Sequence, residues 1–449
     1  MPWWSVAIIV FGVNFTLWAA MGLARLLEET WATRRRRSRV RLPGHSSGPS
    51  MTVRDVAVLI PAHNEELVIE SSIEAIAALV PRENIHVVSD GSTDRSAELA
   101  RQTGVNVIET HTNVGKAGAL EEAIDRFGLV ERFQAVLLLD ADTTIEPGYF
   151  AAALPHFDDP QVVAVAGAVR THWHERGLSL IGTVLVCHRQ RIYAISQRLL
   201  KFGQTWRFTN ATHIVPGFAS MYRTAVLPRI EMNPPGLVIE DFNMTFEIYQ
   251  KRLGKVAFTL GALAVTQDPD NLRDYVRQIK RWGLGLWQTV RRHPPQLSLF
   301  SAMLTVLLLE LLTSSMFFLL LPLLVLVLAV PAAYPAALAW PGIAPVHDVI
   351  AAHMSLQVLL FAVTGADLAL TCLVTLIERR LRFLVLWVFF PFLRVLDAAI
   401  ALYVFPQAWL SSTGRWTSPA RRTVGARPAL GEQMTASSVL PPQATARHS

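Results

Sequence analysis

The sequence predicts an α/β domain embedded between membrane-spanning helices, and three observations lead to this prediction. The 449-residue chain is 51% hydrophobic and only 17% charged, which is unusually apolar for a soluble protein. Long apolar stretches lie on both sides of a central region. Within that region, short β-rich runs alternate with helical patterns, which is typical of a parallel sheet covered on both faces.

The first apolar stretch, residues 3–27, is almost uncharged and long enough to cross a hydrocarbon core of about 30 Å, which needs about 20 helical residues. A cleaved signal peptide is the alternative, but here the positive charge follows the apolar run. The arginine cluster at residues 34–39 favours the cytoplasm. We therefore predict a transmembrane helix at 1–30 with its N-terminus outside, and a basic cytosolic linker at 31–54.

The central region, 55–268, is the predicted α/β domain. Ligands of such domains bind beyond the carboxyl ends of the strands, so the residues that follow each strand are the informative ones. The predicted strands are VAVLI (56–60), IHVVS (85–89), VNVIE (105–109) and AVLLL (135–139).

The C-terminal region turns apolar again, with candidate spans near 300–330, 349–377 and 383–410. Three spans would place the basic tail, 411–449, outside, whereas its arginines favour the inside. A re-entrant hairpin around Pro391, with Arg394 and Asp397 facing protein or water, would reconcile the two signals. The topology stays open, and the tail is predicted to lack fixed structure.

The net charge of +6 is compatible with nucleic acid, but the basic residues concentrate beside apolar stretches. That placement predicts a lipid bilayer as the partner and excludes nucleic acid. Cys187 and Cys372 suggest neither a disulfide framework nor a zinc site. We expect a multi-pass protein of the cell membrane whose central domain is cytoplasmic.

Polar clusters follow the first two predicted strands, as PAHNEE and DGSTD. Asp90 is a candidate acceptor of a hydrogen bond from a base or ribose, and Glu65 is expected to lie beside it. Each acid alone is equally explained as a helix N-cap. For Asn64 and Asp94, which also precede helices, we favour the cap.

Further along, the DADT and NVGKAGAL sequences suggest a metal and a phosphate. Asp140 and Asp142 follow a wholly apolar strand, where paired carboxylates suit a divalent cation, although solvated turns often have the same pattern. Lys116 lies at the start of a helix beside Gly115 and Gly118, which suits a phosphate, although a surface lysine explains it equally.

Two features precede the C-terminal spans. VIEDF places Glu240 and Asp241 in an apolar context, where a carboxylate serves as a general base, or where the pair simply complements a helix N-terminus. Residues 269–298 are predicted to form an interfacial amphipathic helix. Its apolar face is predicted to carry Leu272, Tyr275, Ile279, Trp282 and Leu286.

Taken together, the order SDGSTD, GKAGAL, DAD, ED and QIKRW resembles the processive family 2 glycosyltransferases, which include cellulose, chitin, hyaluronan and poly-N-acetylglucosamine synthases. The resemblance covers roughly residues 55–295. It implies a GT-A (Rossmann-like) fold, a UDP-sugar donor, and Mg²⁺ or Mn²⁺ held by Asp140 and Asp142. It also implies that Asp241, with Glu240 beside it, is the catalytic base.

The same resemblance assigns the remaining candidate residues. The nucleotide or donor would contact Glu65, Asp90, Lys116, Asp140, Gln278 and Arg281, and the acceptor would contact Trp282, Gly217 and Phe218. The tail segment GRWTSPARR is similar to the ending of bacterial poly-β-1,6-N-acetylglucosamine synthases, which makes UDP-GlcNAc the expected donor. Departures from the family pattern are Glu121 where asparagine is frequent, IED in place of TED, and a single N-terminal span.

The resulting hypothesis is an inverting, processive enzyme that extends a β-linked extracellular polysaccharide, coupled to its export and to accessory membrane or export proteins. One alternative is a single transfer onto a membrane lipid. Another is a catalytically silent transport or scaffold component. A dehydrogenase is poorly supported because no GxGxxG follows the first strand.

Overall fold

The computed structural model describes residues 12–38, 51–173 and 177–410. Its centre is one eight-stranded sheet in the order β3-β2-β1-β4-β7-β6-β8-β5. The strands are β1 Val56–Ala62, β2 Ile85–Ser89, β3 Asn106–Glu109, β4 Ala135–Leu139, β5 Thr144–Ile145, β6 Val162–Thr171, β7 Ala219–Arg223 and β8 Lys255–Thr266.

The four strands predicted from the sequence are present, and they pair in parallel as β3-β2-β1-β4. Every residue of β1, β2 and β4 is buried, as expected for strands covered on both faces. The whole sheet is mixed rather than parallel, because β7 runs antiparallel to both β4 and β6. The pairing of β7 with β4 depends on contacts between distant parts of the chain, which local patterning does not reveal.

Helices cover the sheet and then continue into the apolar region. In and before the α/β domain they are α1 Val13–Ser38, α2 Ile69–Ala77, α3 Ser96–Gln102, α4 Gly115–Arg126, α5 Leu129–Arg132, α6 Tyr149–Ala153, α7 Leu180–Ile195, α8 Phe202–Gln204, α9 Glu240–Gln250 and α10 Leu272–Arg292. A π-helical turn, Ser196–Lys201, joins α7 to α8. After them come α11 Leu299–Ala333, α12 Ile343–His353, α13 Leu356–Leu360, α14 Ala366–Glu378, α15 Arg382–Leu386 and α16 Phe390–Leu410.

Helix α1 packs against the α/β domain. Trp18 is 1% exposed, and Arg25 lies 4.0 Å from the ring centroid of Phe202 while donating to the Phe202 carbonyl at 2.9 Å. The helix continues to Ser38, past the predicted boundary at residue 30. The start of the predicted first span, residues 1–11, and the rest of the predicted linker, residues 39–50, lie outside the described residues.

Within the described part of the chain, three helical segments are long and apolar enough to cross a membrane: Leu299–Ala333, Leu356–Glu378 and Arg382–Leu410. They match the predicted C-terminal positions within several residues. Arg394 and Asp397 both face protein, since Arg394 lies 3.4 Å from the Asp367 carboxylate and Asp397 accepts a 2.8 Å hydrogen bond from the Tyr275 hydroxyl. The predicted disordered tail, 411–449, lies outside the described residues.

Candidate active site

A cavity of about 300 Å³ lies between the carboxyl ends of the central strands and helix α10. Eleven of the twelve predicted site residues line it, and Asp90 is the exception. Those eleven are Glu65, Lys116, Asp140, Asp142, Gly217, Phe218, Glu240, Asp241, Gln278, Arg281 and Trp282.

Strand pairing explains why distant acidic residues meet on the sheet side of the cavity. β4 pairs with β7 up to Leu139 opposite Ala219, and the Asp140 amide donates to the Phe218 carbonyl at 3.0 Å. Asp140 therefore lies directly beside the Gly217–Phe218 turn. A Cβ at Gly217 would lie 2.9 Å from Glu240 Oε1 and 3.0 Å from Lys116 Nζ, so a larger residue there would displace these two side chains.

Lys116 neutralises part of this acidic cluster. Its Nζ is 2.8 Å from Asp140 Oδ1, 2.8 Å from Glu240 Oε1 and 3.1 Å from the carbonyl oxygen of Gly217. Burial opposes the charged ammonium, but Asp140 and Glu240 raise the pKa of Lys116 above its ordinary value. All three donors of the ammonium bond to protein, so a contact with phosphate requires one of these bonds to exchange.

The carboxylate of Asp241 lines the cavity and faces two backbone amides. Its Oδ1 accepts from the Phe242 amide at 2.7 Å, and its Oδ2 faces the Gly217 amide at 3.4 Å. Burial, aided by the negative charge of Glu240, raises the pKa of Asp241 to about 7. A carboxylate with a pKa near neutrality is well matched to accepting a proton from a hydroxyl at physiological pH.

The two aspartates of DADT fit a divalent metal by the chemistry of their donors. Asp140 and Asp142 both line the cavity, and carboxylate oxygens are the ligands that Mg²⁺ and Mn²⁺ prefer. The described residues contain no group of three or more His, Cys, Asp or Glu side chains arranged to hold a metal. The protein would thus supply two carboxylates, as is usual when substrate phosphates complete the coordination.

The opposite wall comes from helix α10, which begins after Asn271, whose side chain accepts from the Asp274 amide at 2.9 Å. Gln278, Arg281 and Trp282 are three and four residues apart, so the helix presents them on one face toward the cavity. The predicted apolar face is correct for Tyr275 and Leu286, which are buried. Leu272, in contrast, is 47% exposed.

Asp90 is buried behind the sheet side of the cavity. Its Oδ1 accepts from the Val114 amide at 2.8 Å and the Thr110 hydroxyl at 3.0 Å, and its Oδ2 accepts from the Gly115 amide at 2.9 Å. These bonds fix the loop that leads into α4. In this structure, Asp90 therefore helps to position Lys116.

Two loop residues near Asp90, Asn64 and Asp94, were predicted to cap helices, and the structure shows different contacts for each. Asp94 Oδ1 accepts from the amide of Ser96, the first residue of α3, at 3.0 Å. Asn64 does not cap α2. Its Oδ1 accepts from the Thr93 amide at 2.9 Å, which ties together the loops that follow β1 and β2. Glu65, which does line the cavity, is 2% exposed.

Several residues of the site were missed by sequence analysis. Lys201 is 9% exposed and lies on the cavity wall, where burial lowers its pKa to about 8. Burial likewise lowers the pKa of His213, on the same wall, to about 4. Neither belongs to a recognisable pattern. Asp268 also lines the cavity, and its position just beyond the end of β8 was the available signal.

Comparison with solved structures identifies several glycosyltransferases. A mannosyltransferase from Pyrobaculum calidifontis, solved with GDP-mannose and Mn²⁺, is 18% identical, with 87% of this chain and 98% of that chain covered and a TM-score of 0.49. Glucosyl-3-phosphoglycerate synthase from Mycobacterium tuberculosis is 17% identical, covering 54% of this chain and 85% of that chain, with a TM-score of 0.35. No curated protein matches the chain.

The family comparison is decisive. The model described as "Glycosyltransferase like family 2" matches residues 54–285, more than half of the 449-residue chain and including all twelve predicted site residues. The predicted GT-A class, a Rossmann-like α/β domain, is confirmed, as is the prediction of an enzyme. The chain belongs to glycosyltransferase family 2 and is an inverting-type glycosyltransferase that uses a nucleotide sugar.

Proposed function

We propose that this enzyme transfers a sugar from UDP-GlcNAc to a growing β-linked extracellular polysaccharide, adding residues processively and coupling addition to export. The supporting observation is the cavity itself. It brings the Asp140–Asp142 pair, the carboxylate of Asp241 and the side chains of Arg281 and Trp282 around one volume. A donor diphosphate, an acceptor hydroxyl and an acceptor ring each have matching chemistry there.

The mechanism is a single displacement. Asp241 accepts the proton of an acceptor hydroxyl, whose oxygen then forms a bond to the anomeric carbon as the bond from that carbon to the diphosphate breaks. Arg281 lines the same cavity as Asp140 and would stabilise the negative charge of the departing diphosphate. Mg²⁺ or Mn²⁺, held by Asp140 and Asp142, would supply Lewis-acid stabilisation of that charge.

On the acceptor side, Trp282 would provide a face on which the terminal sugar stacks, and the Gly217–Phe218 turn would line its path. Glu65, Lys116 and Gln278 would complete the donor side, with Glu240 beside the base. Asp90 would act on the donor through the loop that carries Lys116.

The connection to the apolar helices supports coupling to export. Helix α10 packs on α16, where the Tyr275 hydroxyl donates to Asp397 and the Lys280 ammonium lies 4.4 Å from the ring centroid of Tyr403. We place the enzyme in the cell membrane as a multi-pass protein with its catalytic domain in the cytoplasm. Accessory membrane or export proteins would receive the product.

One observation favours a second candidate, a single transfer onto a membrane lipid. His213 lines both the cavity and a small gap bordered by Asn14 of α1 and by Phe300 and Met303 of α11. The cavity thus approaches helices α1 and α11, where the headgroup of a lipid acceptor would lie. The length of the product separates the two candidates.

The test of donor and reaction uses the purified full chain in lipid nanodiscs. The chain is given a panel of UDP- and GDP-linked sugars with Mg²⁺ or Mn²⁺, and nucleotide release is measured with and without a chelator. We expect release of UDP to be fastest with UDP-GlcNAc and to stop when the metal is chelated. Release from a GDP-sugar alone, or undiminished release without metal, would refute the proposed donor or cofactor.

A further inference from the structure

A buried arginine outside every recognised motif contacts the helix α10 wall of the active site. Arg189 lies in α7 and is 2% exposed. Its Nη2 donates to Gln278 Oε1 at 2.6 Å, and its guanidinium carbon lies 4.6 Å from the ring centroid of Trp282 and 5.0 Å from that of Tyr275. Positions 275, 278 and 282 form one face of a helix, so a single guanidinium contacts that face over two turns.

The guanidinium is itself held in place by a carboxylate. Arg189 Nε lies 3.5 Å from Asp268 Oδ1, and Asp268 is 2% exposed at its side chain. Asp268 also accepts from the Tyr193 hydroxyl at 2.9 Å and the Thr171 hydroxyl at 2.7 Å. A buried arginine needs a charged partner, and Asp268 supplies the compensating negative charge.

Arg189 does not line the cavity, whereas Gln278, Trp282 and Asp268 do. Its contacts with a ligand in the cavity are therefore indirect, through the side chains that line it. Without Arg189, Trp282 loses the cation on its ring and Gln278 loses a charge-assisted hydrogen bond. Both side chains would then be free to adopt other rotamers.

We propose that Arg189 is a positioning residue that fixes Trp282 in the orientation that binds the acceptor, and so sets acceptor affinity. The inference rests on the proposed function, in which Trp282 contacts the acceptor sugar. It deepens that function, because it assigns control of the acceptor site to a residue that lies outside the cavity.

The chain provides a matched control two residues away. Arg191 lies on the same helix, is 3% exposed, and donates to Asp367 at 2.6 Å. Its partner lies on α14, and the described contacts of Arg191 do not reach Gln278 or Trp282. Replacement of Arg191 thus removes an equally buried guanidinium from the same helix without touching the cavity wall.

The experiment compares wild type, Arg189→Gln, Arg189→Lys and Arg191→Gln as full chains in lipid nanodiscs. In Arg189→Gln we expect the acceptor KM to rise about tenfold or more, because a charge-assisted bond and a cation–π contact are both lost. Its kcat should stay within about threefold of wild type, because Asp241 and the proposed metal ligands are untouched. Its Kd for UDP should rise less than the acceptor KM, because Gln278 is only one of several proposed donor contacts. Arg191→Gln should lower thermal stability and leave the acceptor KM unchanged.

Arg189→Lys keeps the positive charge but loses the planar fork, so its acceptor KM should lie between those of wild type and Arg189→Gln. The intermediate value also keeps the test decisive if Arg189→Gln does not fold. In a Trp282→Ala background, Arg189→Lys should add little further increase in acceptor KM, since the two residues act as a unit.

A wild-type acceptor KM in Arg189→Lys, or an equal rise in KM in Arg191→Gln, would overturn the positioning role. Additive effects with Trp282→Ala would do the same. Failure of the proposed function looks different, because the wild-type chain itself would then neither bind UDP nor transfer sugar.

Discussion

The two walls of the active-site cavity are held in place by different parts of the molecule. On the sheet wall, Asp140, Glu240 and Asp241 are fixed by the pairing of β4 with β7 and by the first turn of α9. On the helix wall, Gln278 and Trp282 are held by Arg189, and α10 packs against the apolar helix α16. The acidic residues thus lie at the end of β4 and in the first turn of α9, whereas the proposed acceptor contact Trp282 lies on a helix that packs against the apolar helices.

Replacement of Asp241 should have the largest effect, because it removes the base from the sheet wall. Asp241→Asn should lower kcat roughly 10²- to 10⁴-fold, the usual contribution of a positioned general base. UDP affinity should change little, and calorimetric titration with UDP checks this in the same sample. Near-normal turnover in a folded, UDP-binding variant would remove Asp241 from the mechanism.

Replacement of Asp142 tests the metal function of the sheet wall. Asp142→Asn removes a proposed ligand of the metal. Loss of a residue that only hydrogen-bonds to a metal ligand weakens metal binding roughly 10- to 100-fold. Loss of the ligand itself should therefore weaken the apparent affinity for Mn²⁺ at least as much. The measurement is UDP release as a function of Mn²⁺ concentration, with Glu146→Gln as a control on a residue that does not line the cavity. An unchanged metal requirement in Asp142→Asn would contradict the assignment.

The pH dependence of kcat/KM should show a smaller effect from the same wall. Burial and Glu240 raise the pKa of Asp241 to about 7, so the carboxylate is increasingly protonated below that pH and cannot accept a proton. The rate should fall about tenfold per pH unit below about 6.5 and level off above about 7.5. A profile that is flat down to pH 5 in the folded enzyme would argue against a base with a raised pKa.

Asp90 lies behind the sheet wall, and its replacement should have the smallest effect on chemistry. Asp90→Asn places an amide group against backbone donors and should cost about 1–3 kcal/mol of unfolding free energy. UDP affinity should fall only a few-fold, through the displacement of Lys116. Thermal unfolding and UDP titration check both expectations, and wild-type stability with UDP binding weakened tenfold or more would instead indicate direct contact with the nucleotide.

The elements that the sequence revealed are those with a strong local pattern. Strands β1, β2 and β4 and the three apolar segments are largely apolar, and β3 has two adjacent β-branched residues, Val107 and Ile108. Their positions were predicted within several residues. The mixed pairing was missed because β7 joins β4 after a separation of about eighty residues. Helix α1 continues beyond the predicted boundary at residue 30 and ends at Ser38, within the arginine cluster.

The same distinction applies to the site. Residues that follow strand ends or lie in the QIKRW segment were found, because a parallel sheet and one helical face bring them together. Arg189 and Lys201 were missed, because a single cation in an amphipathic stretch has no signature of burial. Asp90 was predicted to contact the ligand. Its bonds to Thr110, Val114 and Gly115, which lie twenty or more residues away, have no local signature in the sequence.

If the two walls of the cavity act together to extend a chain, the length of the product should reveal it. The full chain in lipid nanodiscs is incubated with UDP-GlcNAc, Mn²⁺ and a limiting oligosaccharide acceptor, and the products are resolved by mass spectrometry. We expect a ladder of products separated by one sugar residue, with long products present while unextended acceptor remains. A single product carrying one added sugar, on the oligosaccharide or on a lipid, would contradict it.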